Sequence, residues 1–326
     1  MKEIKIGTAL SKAPGKVDGY LKTGELPDGQ DMRIPVVILR GETEGPVLWV
    51  HGCVHGNEQC GTYIIHETLR SIAPKDLTGT IVALPALNIT AFHKMQRMSP
   101  FEGYNGGDLN RNFPGNATGT LTQQMAYAIY NELKQHATYL IDFHTALTAD
   151  VAWALFANVP GDVGKKGEGI ARAFGYRSTL PTPPDTLIGS AMMTAANDGI
   201  PGFIIEAGGK GPAFTREVVL DAAERLRNVL RHLGMLQGKV TDYGKQWHFS
   251  NFAWVHSTQG GLFQRSVRCG DSVKAGDVIG QYWDLHGKPK GHAHAPESGI
   301  VLAIHPGPVM STGETLIHIG LNPREV

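Results

Sequence analysis

The stretch that decides the fold is Pro46-Val-Leu-Trp-Val-His-Gly-Cys-Val-His-Gly-Asn-Glu-Gln59. Its apolar start, Pro46–Val50, predicts a buried strand, and the glycines that follow predict a turn. Helical spacing of apolar residues then covers Thr62–Ser71. A strand that turns directly into a helix is typical of α/β folds, in which ligands bind at the carboxyl ends of the strands. We therefore expect this turn to line a functional site.

The same alternation of strands and helices continues to about residue 240. Apolar runs predict further strands, and helical spacing predicts further helices. The strands are Thr80–Leu84, Tyr139–Phe143 and Pro201–Ile205, and the helices are Leu121–His136 and Arg216–Leu236. Continuous apolar strands between amphipathic helices predict an α/β fold with a mostly parallel sheet flanked by helices.

After Gly238 the helical periodicity ends and short strands separated by glycines follow. Two segments, Gly261–Gly276 and Gly299–Gly313, are loose copies of one strand-turn-strand unit and resemble the hairpins of biotinyl/lipoyl-like domains. Those domains carry their cofactor on a lysine, and the second copy has none, so we expect a structural domain. The predicted organisation is a hydrolase-type domain over 1–240 and a small all-β, barrel-sandwich-like domain over 241–326.

Composition excludes several classes of protein. Of the 326 residues, 41% are hydrophobic and 18% are charged, so the chain can bury a sizeable core and is not a disordered polymer. Thirty Lys and Arg residues balance thirty Asp and Glu residues without long runs of one sign. Nucleic-acid binders and polybasic membrane binders concentrate positive charge, so we expect neither activity.

The cysteines and the apolar segments predict a cytoplasmic location. Cys53, Cys60 and Cys269 cannot form a closed disulfide framework, which suits a reducing compartment. The N-terminal segment lacks the apolar centre of a signal peptide, and no stretch approaches the roughly 18 apolar residues of a membrane span. We therefore expect a cytoplasmic protein that does not enter membranes; the sequence leaves a homo-oligomeric state open.

The turn after the first of these strands contains two candidate metal ligands. His55 and Glu58 stand in H-x-x-E spacing, so both side chains can reach one point from a single turn. Zinc binds imidazole nitrogen and carboxylate oxygen at about 2.0–2.2 Å, and two histidines with one glutamate form a catalytic set with an open fourth position. The pair alone is weak evidence, because polar loop residues also make ordinary capping and surface hydrogen bonds.

Two further residues with reactive or metal-binding side chains lie at the ends of predicted strands. His144 follows the apolar strand that ends at Phe143, and Glu206 follows the apolar residues Phe203–Ile205. A strand that buries apolar side chains and then presents a carboxylate directs that carboxylate towards a ligand or a reaction. The polar segment Asp108–Arg111 lies between the H-x-x-E pair and His144, in a loop rich in glycine and asparagine.

Together these motifs resemble the succinylglutamate desuccinylase/aspartoacylase family of the zinc carboxypeptidase superfamily. They occur in family order over about residues 46–209 and are His55–Glu58, Asp108–Arg111, Asp142–His144 and Ile205–Glu206. The C-terminal β-domain is also a feature of that family. The resemblance implies a zinc-carboxypeptidase-like α/β fold and one Zn²⁺ per chain, held by His55, Glu58 and His144.

The resemblance also implies roles for other residues. Glu206 would be the general base and Arg97 the oxyanion stabiliser. Asn110 and Arg111 would hold the substrate carboxylate. Asp108 would be the hydrogen-bond partner of the His55 ring. The chemistry agrees, because a carboxylate can relay a proton and a planar guanidinium grips a carboxylate at two points. Lys94 stays an alternative to Arg97, since the segment Ser99–Gly107 is longer than expected.

These roles predict a zinc-dependent hydrolase that cleaves the amide bond of a small N-acylated amino acid. Zinc lowers the pKa of its bound water from about 15.7 to about 7, and a glutamate base completes the reaction. Two alternatives stay open: a metallocarboxypeptidase that cuts a C-terminal peptide bond, and a non-catalytic binding protein with the zinc fold. The β-domain, which narrows the cleft in the family, disfavours the first, and the complete set of expected residues disfavours the second.

Residues beside the motifs have plainer interpretations. We expect His51 to pack behind the metal ligands and the thiols of Cys53 and Cys60 to be small buried groups. His292 and His294 form an H-A-H pair that we expect on a surface loop over the active site.

The segment before Glu206 predicts the charge of the substrate. Aspartoacylase-like enzymes are expected to hold a second substrate carboxylate with an arginine shortly before the catalytic glutamate. Pro181–Ile205 contains no lysine or arginine, whereas Asp185 and Asp198 are acidic. An unpaired buried charge is costly, so we expect one carboxylate and a neutral or cationic side chain, as in N-acetyl-diaminobutyrate. The alternative is a cation supplied by the β-domain, from Arg265, Arg268 or Lys288.

Overall fold

The computed structural model describes residues 3–103, 106–145, 152–208, 213–305 and 307–326. The helices are α1 (Cys60–Arg70), α2 (Ile89–His93), α3 (Leu121–His136), α4 (Asp162–Phe174), α5 (Ala191–Asn197) and α6 (Arg216–His232), with 3₁₀ turns at Pro74–Asp76 and Leu109–Arg111. The first ten strands are β1 (Ile4–Ile6), β2 (Ala9–Ser11), β3 (Gly15–Glu25), β4 (Asp31–Arg40), β5 (Thr43–Gly52), β6 (Thr78–Leu84), β7 (Tyr139–His144), β8 (Trp153–Ala157), β9 (Ser178–Thr182) and β10 (Gly202–Glu206). The remaining strands are β11 (Trp247–His248), β12 (Asn251–His256), β13 (Gly261–Arg265), β14 (Ser272–Val273), β15 (Val278–Trp283), β16 (Pro289–His294), β17 (Gly299–Ile304), β18 (Val309–Met310), β19 (Thr315–Leu321) and β20 (Arg324–Glu325).

A ten-stranded sheet forms the centre of the molecule in the order β20-β11-β9-β8-β10-β7-β5-β6-β4-β3. The neighbouring strands β10, β7, β5 and β6 run parallel. Strands β8 and β9 are parallel to each other but antiparallel to β10. Helices α1, α4 and α6 cover one face, and α3 and α5 cover the other, each over its own apolar core. The predicted α/β fold with a mostly parallel sheet flanked by helices is confirmed.

A long hairpin that the sequence analysis did not predict widens one edge of this sheet. Strands β3 and β4 pair antiparallel, and β4 joins the sheet through β6. Strand β3 alternates exposed and half-buried residues along most of its length, so it has no continuous apolar run. The sequence of β3 therefore lacks the apolar run by which buried parallel strands are predicted.

The predicted helices form, with shifts at their ends. Helix α3 has the predicted bounds and begins at a capping box between Thr120 and Gln123. Helix α6 ends at His232, four residues earlier than predicted. Gly234 adopts a positive φ of 68°, which stops the helix, and Leu236 instead forms a bridge to Leu77.

The C-terminal strands form two four-stranded antiparallel sheets, β12-β19-β17-β14 and β16-β15-β13-β18. The two loose copies seen in the sequence pair crosswise, since β14 of the first pairs with β17 of the second and β13 pairs with β18. The predicted all-β C-terminal region is confirmed. A division at residue 240 stays a proposal, and β11 and β20, which follow it, belong to the large sheet.

The site motifs collect at one edge of the large sheet. Strands β5, β7 and β10 are parallel and end at Gly52, His144 and Glu206. Their carboxyl ends therefore lie side by side, as expected for a ligand site in this class of fold. Within the described part of the chain, no helix has both the length and the apolar character that a membrane crossing needs.

Candidate metal centre and active-site cleft

The turn between β5 and α1 has a constrained backbone. Directly after Gly52, Cys53 adopts a positive φ of 51°, a conformation that costs about 1–3 kcal/mol in residues other than glycine. Gly56 then passes close to α2, where a Cβ atom would lie 2.1 Å from the carbonyl carbon of Ala91. These two residues fix the path of the chain and hence the position of His55.

His55, Glu58 and His144 form a buried cluster in which one ligand atom of each lies within 4.8 Å of the others. Glu58 Oε1 is 2.9 Å from His55 Nδ1, and Glu58 Oε2 is 3.0 Å from His144 Nδ1. The backbone N–H of Thr145 donates a hydrogen bond of 3.2 Å to the same Oε2. The predicted ligand set therefore converges on one point.

Each histidine of the cluster also contacts a carboxylate through its other nitrogen. Asp108 Oδ1 is 3.3 Å from His55 Nε2, and Asp142 Oδ1 is 3.2 Å from His144 Nε2. Such a partner favours the tautomer that carries its proton on the outer nitrogen. In that tautomer the inner Nδ1 atom carries the lone pair that a bound metal ion would need.

His51 lies behind this arrangement, as predicted. It is fully buried, with Nε2 3.0 Å from Asp142 Oδ1. Its Nδ1 accepts a hydrogen bond of 3.2 Å from the indole N–H of Trp49. A buried chain of polar contacts thus runs from Trp49 to His144. Asp142 was not predicted as a site residue, although the two-residue strand repeat places it on the same face of β7 as His144.

The histidines favour the ionised forms of the carboxylates. Burial alone would raise the pKa of Glu58, but the two imidazoles beside it hold that pKa well below its usual range. Burial also opposes ionisation of Asp108, yet the neighbouring His55 helps to lower its pKa to about 2. At Asp142 two histidines outweigh burial and hold the pKa below its usual range. The cluster therefore combines anionic oxygens with imidazole nitrogens.

The donor atoms fit a divalent metal ion such as zinc. His55 Nδ1 is buried and has no hydrogen-bond partner, because its approach to Glu58 lacks hydrogen-bond geometry. A buried polar atom without a partner is costly unless a ligand binds it. Two imidazole nitrogens and one carboxylate are the donor set of catalytic zinc sites.

A cavity of about 390 Å³ opens over the cluster. The predicted site residues that line it are His55, Glu58, Arg97, Asn110, Arg111, His144 and Glu206. The remaining predicted residue, Asp108, lies behind His55. The structure therefore brings all the predicted site residues to one cleft.

Glu206 ends strand β10 and is held by the sheet on both sides. In the ladder it is the partner of His144 on parallel β7 and of Trp153 on antiparallel β8. Adjacent strands lie about 4.8 Å apart, so the carboxylate is presented one strand away from His144 of the cluster.

Of the arginines that line the cavity, Arg97 lies nearest to the carboxylate of Glu58. Its Nη1 is 3.1 Å from Glu58 Oε1, and its Nη2 is 3.8 Å from Asp108 Oδ2. Lys94, the alternative for the oxyanion role, is an exposed residue at the end of α2 and does not line the cavity.

Asn110 and Arg111 lie on a 3₁₀ turn that begins after Asp108, whose side chain accepts a hydrogen bond of 2.9 Å from the backbone N–H of Asn110. The Asn110 side chain is buried, and its Oδ1 has no hydrogen-bond partner. Arg111 is exposed and donates a hydrogen bond of 2.7 Å to the Asn110 carbonyl. Both side chains face the cavity and are placed to meet a substrate.

The cysteines and the H-A-H pair lie outside the cluster. Burial raises the pKa of Cys53 and of Cys60 to about 12, so both are neutral thiols near pH 7. His292 and His294 are exposed on β16, a strand rather than the expected loop, and neither lines the cavity.

Four residues of the C-terminal region reach the cavity: Phe252, Trp254, His305 and His318. The sequence analysis missed them, because no motif or periodicity links these positions to the strand ends of the large sheet. Arg265, Arg268 and Lys288, the basic residues considered for a second substrate carboxylate, are not among its described lining residues.

Comparisons with known proteins agree with this geometry. The sequence profile described as the succinylglutamate desuccinylase/aspartoacylase catalytic domain matches residues 44–233. The chain is 25% identical over 286 residues to N-alpha-acetyl-L-2,4-diaminobutyric acid deacetylase of Halomonas elongata, a match that covers 84% of this chain and 82% of that protein.

Solved structures extend the likeness to nearly the whole chain. The product-bound ectoine utilization protein EutE (DoeB) of Ruegeria pomeroyi matches with a TM-score of 0.85 and 27% identity, over 95% of this chain and 97% of that one. A succinylglutamate desuccinylase of Silicibacter sp. TM1040 matches with a TM-score of 0.84 and 26% identity, over 98% of this chain and 99% of that one. Because the family profile matches more than half of its residues, the chain belongs to the succinylglutamate desuccinylase/aspartoacylase family.

Proposed function

We propose that this protein is a zinc-dependent deacylase that hydrolyses the amide bond of N-acylated amino acids. The observation that carries the proposal is the buried cluster of His55, Glu58 and His144, which opens into the same cavity as Glu206 and Arg111. The family supports a deacylase, and the Halomonas elongata relative is itself a deacetylase of an N-acetylated amino acid.

In this proposal the metal ligands are His55, Glu58 and His144. A zinc ion held there would lower the pKa of a coordinated water from about 15.7 to about 7 and polarise the scissile carbonyl. Asp108 and Asp142 hold the two imidazoles in the orientation that keeps both Nδ1 atoms directed at this point.

The other cavity residues act on the substrate. Arg111, with Asn110 beside it, binds the carboxylate of the amino acid, because a guanidinium can grip a carboxylate at two points. Glu206 accepts a proton from the attacking water and returns it to the leaving amine. Arg97 supplies positive charge where the carbonyl oxygen becomes anionic, a contribution of about 3–4 kcal/mol in well-studied sites.

The side chain of the substrate is proposed to be neutral or cationic. Among the described residues that line the cavity, the cations are Arg97 and Arg111, and both already have roles. A second substrate carboxylate would therefore lack a partner, which is costly in a buried site. N-acetyl-diaminobutyrate is the leading candidate, and the name of the Halomonas elongata relative supports it.

A hydrolysis screen tests the proposed function. Zinc-loaded protein would be incubated with N-acetyl and N-succinyl amino acids and, for comparison, with peptides that have a free C-terminus. We expect release of free amino acid from at least one N-acyl compound and no comparable cleavage of the peptides. Protein that holds one zinc per chain but hydrolyses none of the N-acyl amino acids, or cleaves only peptides, would contradict the proposal.

A further inference from the structure

Three aromatic rings of the C-terminal sheets enter the cleft. Phe252 and Trp254 lie on β12 and His318 lies on β19, where Trp254 and His318 are register partners. The Phe252 ring is 5.9 Å from that of Trp254 and 6.2 Å from that of His318, which it stacks upon at 25°. All three line the cavity that contains the His55–Glu58–His144 cluster. We call Phe252, Trp254 and His318 the aromatic wall.

Trp254 is placed to meet a ligand rather than to fill a core. Its side chain is 52% exposed, although tryptophan is on average a highly buried residue. Trp153 on β8 has the opposite character, since it is 6% exposed and meets the His318 ring edge to face at 6.5 Å. The large sheet therefore contacts the wall through Trp153, which also lines the cavity, while Trp254 keeps about half of its surface exposed.

The wall offers ring faces and a neutral imidazole. The faces of indole and phenyl rings attract a cation within about 6 Å. His318 Nδ1 is buried without a hydrogen-bond partner, and burial lowers the pKa of His318 to about 4. The ring is therefore neutral near pH 7 and does not repel a cation.

A carboxylate suits the wall poorly. The negative faces of aromatic rings repel anions. None of the described lysines and arginines of the C-terminal sheets lines the cavity. Of the two arginines that do line it, Arg97 contacts Glu58 at 3.1 Å and Arg111 contacts the Asn110 carbonyl at 2.7 Å, both beside the proposed metal and carboxylate sites.

We propose that the aromatic wall binds the side chain of the substrate and selects a short side chain that ends in an ammonium group. Trp254 and Phe252 supply ring faces to the ammonium, and the neutral His318 ring adds no positive charge that would repel it. This inference rests on the proposed deacylase function and assigns the choice among amino acids to the C-terminal sheets.

Three matched amino acids test the wall: 2,4-diaminobutyrate, the similarly sized and uncharged norvaline, and aspartate. Their N-acetyl derivatives give kcat/KM, and the free amino acids give Kd by calorimetry with zinc-loaded protein, so binding is measured whether or not turnover occurs. The variants are Trp254→Leu, which removes the ring, and Trp254→Phe, which keeps a smaller one. Tyr20→Leu is the control, because Tyr20 is also 52% exposed but lies on β3 at the far edge of the sheet.

Wild-type protein should prefer diaminobutyrate to norvaline and should bind aspartate worst. Trp254→Leu should reduce the preference for diaminobutyrate over norvaline about 2- to 30-fold, the range of a cation–π contact, and Trp254→Phe should restore part of it. The control should leave the preference unchanged. A wild-type preference for norvaline or aspartate, or an unaltered preference in Trp254→Leu, would overturn the inference.

The binding measurement separates this inference from the proposed function. If no N-acyl amino acid is hydrolysed but diaminobutyrate binds with a Trp254-dependent preference, the deacylase proposal fails and the aromatic wall stands. If hydrolysis occurs and the preference does not depend on Trp254, the deacylase stands and the role of the wall is refuted.

Discussion

At the scale of single residues, the site depends on histidines that are each held between two carboxylates. Glu58 lies at the inner nitrogen of His55 and of His144, while Asp108 and Asp142 lie at the outer nitrogens. Rings already oriented by neighbouring carboxylates would lose little freedom on binding a metal, so a metal at this cluster would meet preorganised donor atoms.

Asp142 is expected to set the metal affinity without touching the metal. The substitution Asp142→Asn removes the negative charge that contacts both His144 and His51, so it should weaken zinc binding about 10- to 100-fold. Competition with a chromophoric chelator measures this, and thermal unfolding checks that the variant folds. Asp185→Asn, an exposed change, is the control; equal zinc affinity in both variants would refute the role of Asp142.

Glu206 is expected to act in proton transfer and not in metal binding. Glu206→Gln keeps the size and the polar character of the side chain but cannot accept the proton, so kcat should fall about 10²- to 10⁴-fold. Zinc content should stay at the wild-type value, because the ligand atoms lie on other residues. Near-normal turnover, or loss of zinc, would show that the base has been assigned wrongly.

Site residues with a recognisable spacing could be predicted from the sequence, whereas residues that only the fold brings together could not. His55 and Glu58 are three residues apart, and His144 and Glu206 end apolar strands, so each left a local signal. Trp254 and His318 carry no such signal, because the fold alone brings β12 and β19 to the cleft.

At the scale of elements, the turn from β5 to α1 determines where His55 and Glu58 lie. Its path depends on Gly56, which has no room for a side chain against the α2 backbone. The turn was predictable from its glycines, but the contact with α2 was not, because it joins segments that the sequence does not link.

The substitution Gly56→Ala should therefore displace His55. The added methyl group would meet backbone atoms of Ala91, so we expect a loss of about 1–3 kcal/mol in unfolding free energy together with weaker zinc binding. Gly169→Ala, within helix α4, is the matched control. A Cβ atom at Gly169 would lie 3.5 Å from the His232 side chain, which is an ordinary van der Waals contact. The control should be stabilised by about 0.5–1 kcal/mol. If Gly56→Ala matched the control in stability and zinc affinity, the close packing would not be required.

Helices and strands were predicted well where their apolar residues form a continuous run or follow one regular helical spacing. The apolar strands β5, β6, β7 and β10 and helix α3 follow from such patterns. The hairpin of β3 and β4 does not, because β3 lies at the edge of the sheet and shows little burial. Edge strands carry polar residues at positions where buried strands carry apolar ones. They therefore lack the apolar run by which a buried strand is predicted.

At the scale of the whole molecule, the C-terminal sheets and the large sheet share structure. Strands β11 and β20 join the large sheet. One apolar cluster also combines residues from both parts, with Leu155, Met192 and Ile204 packed with Phe249, Ile300 and Leu302. The change of pattern at residue 240 was visible in the sequence, but this shared core was not.

Unfolding is therefore expected to be cooperative across the division at residue 240. Calorimetry should show one transition, because neither part can unfold without exposing the shared apolar cluster. Two well-separated transitions would show instead that 1–240 and 241–326 are independently stable.

The most direct test of the central claim is a zinc titration in which bound metal and deacylation are measured on the same samples. Chelator-treated protein would be reloaded in steps, with zinc quantified by mass spectrometry and amine release followed with N-acetyl-diaminobutyrate. We predict a rate that rises in proportion to bound zinc and saturates at one ion per chain, and a His144→Ala protein that neither retains the ion nor turns over. Full activity in metal-free protein, or stoichiometric zinc and full activity in His144→Ala, would contradict a catalytic metal centre at His55, Glu58 and His144.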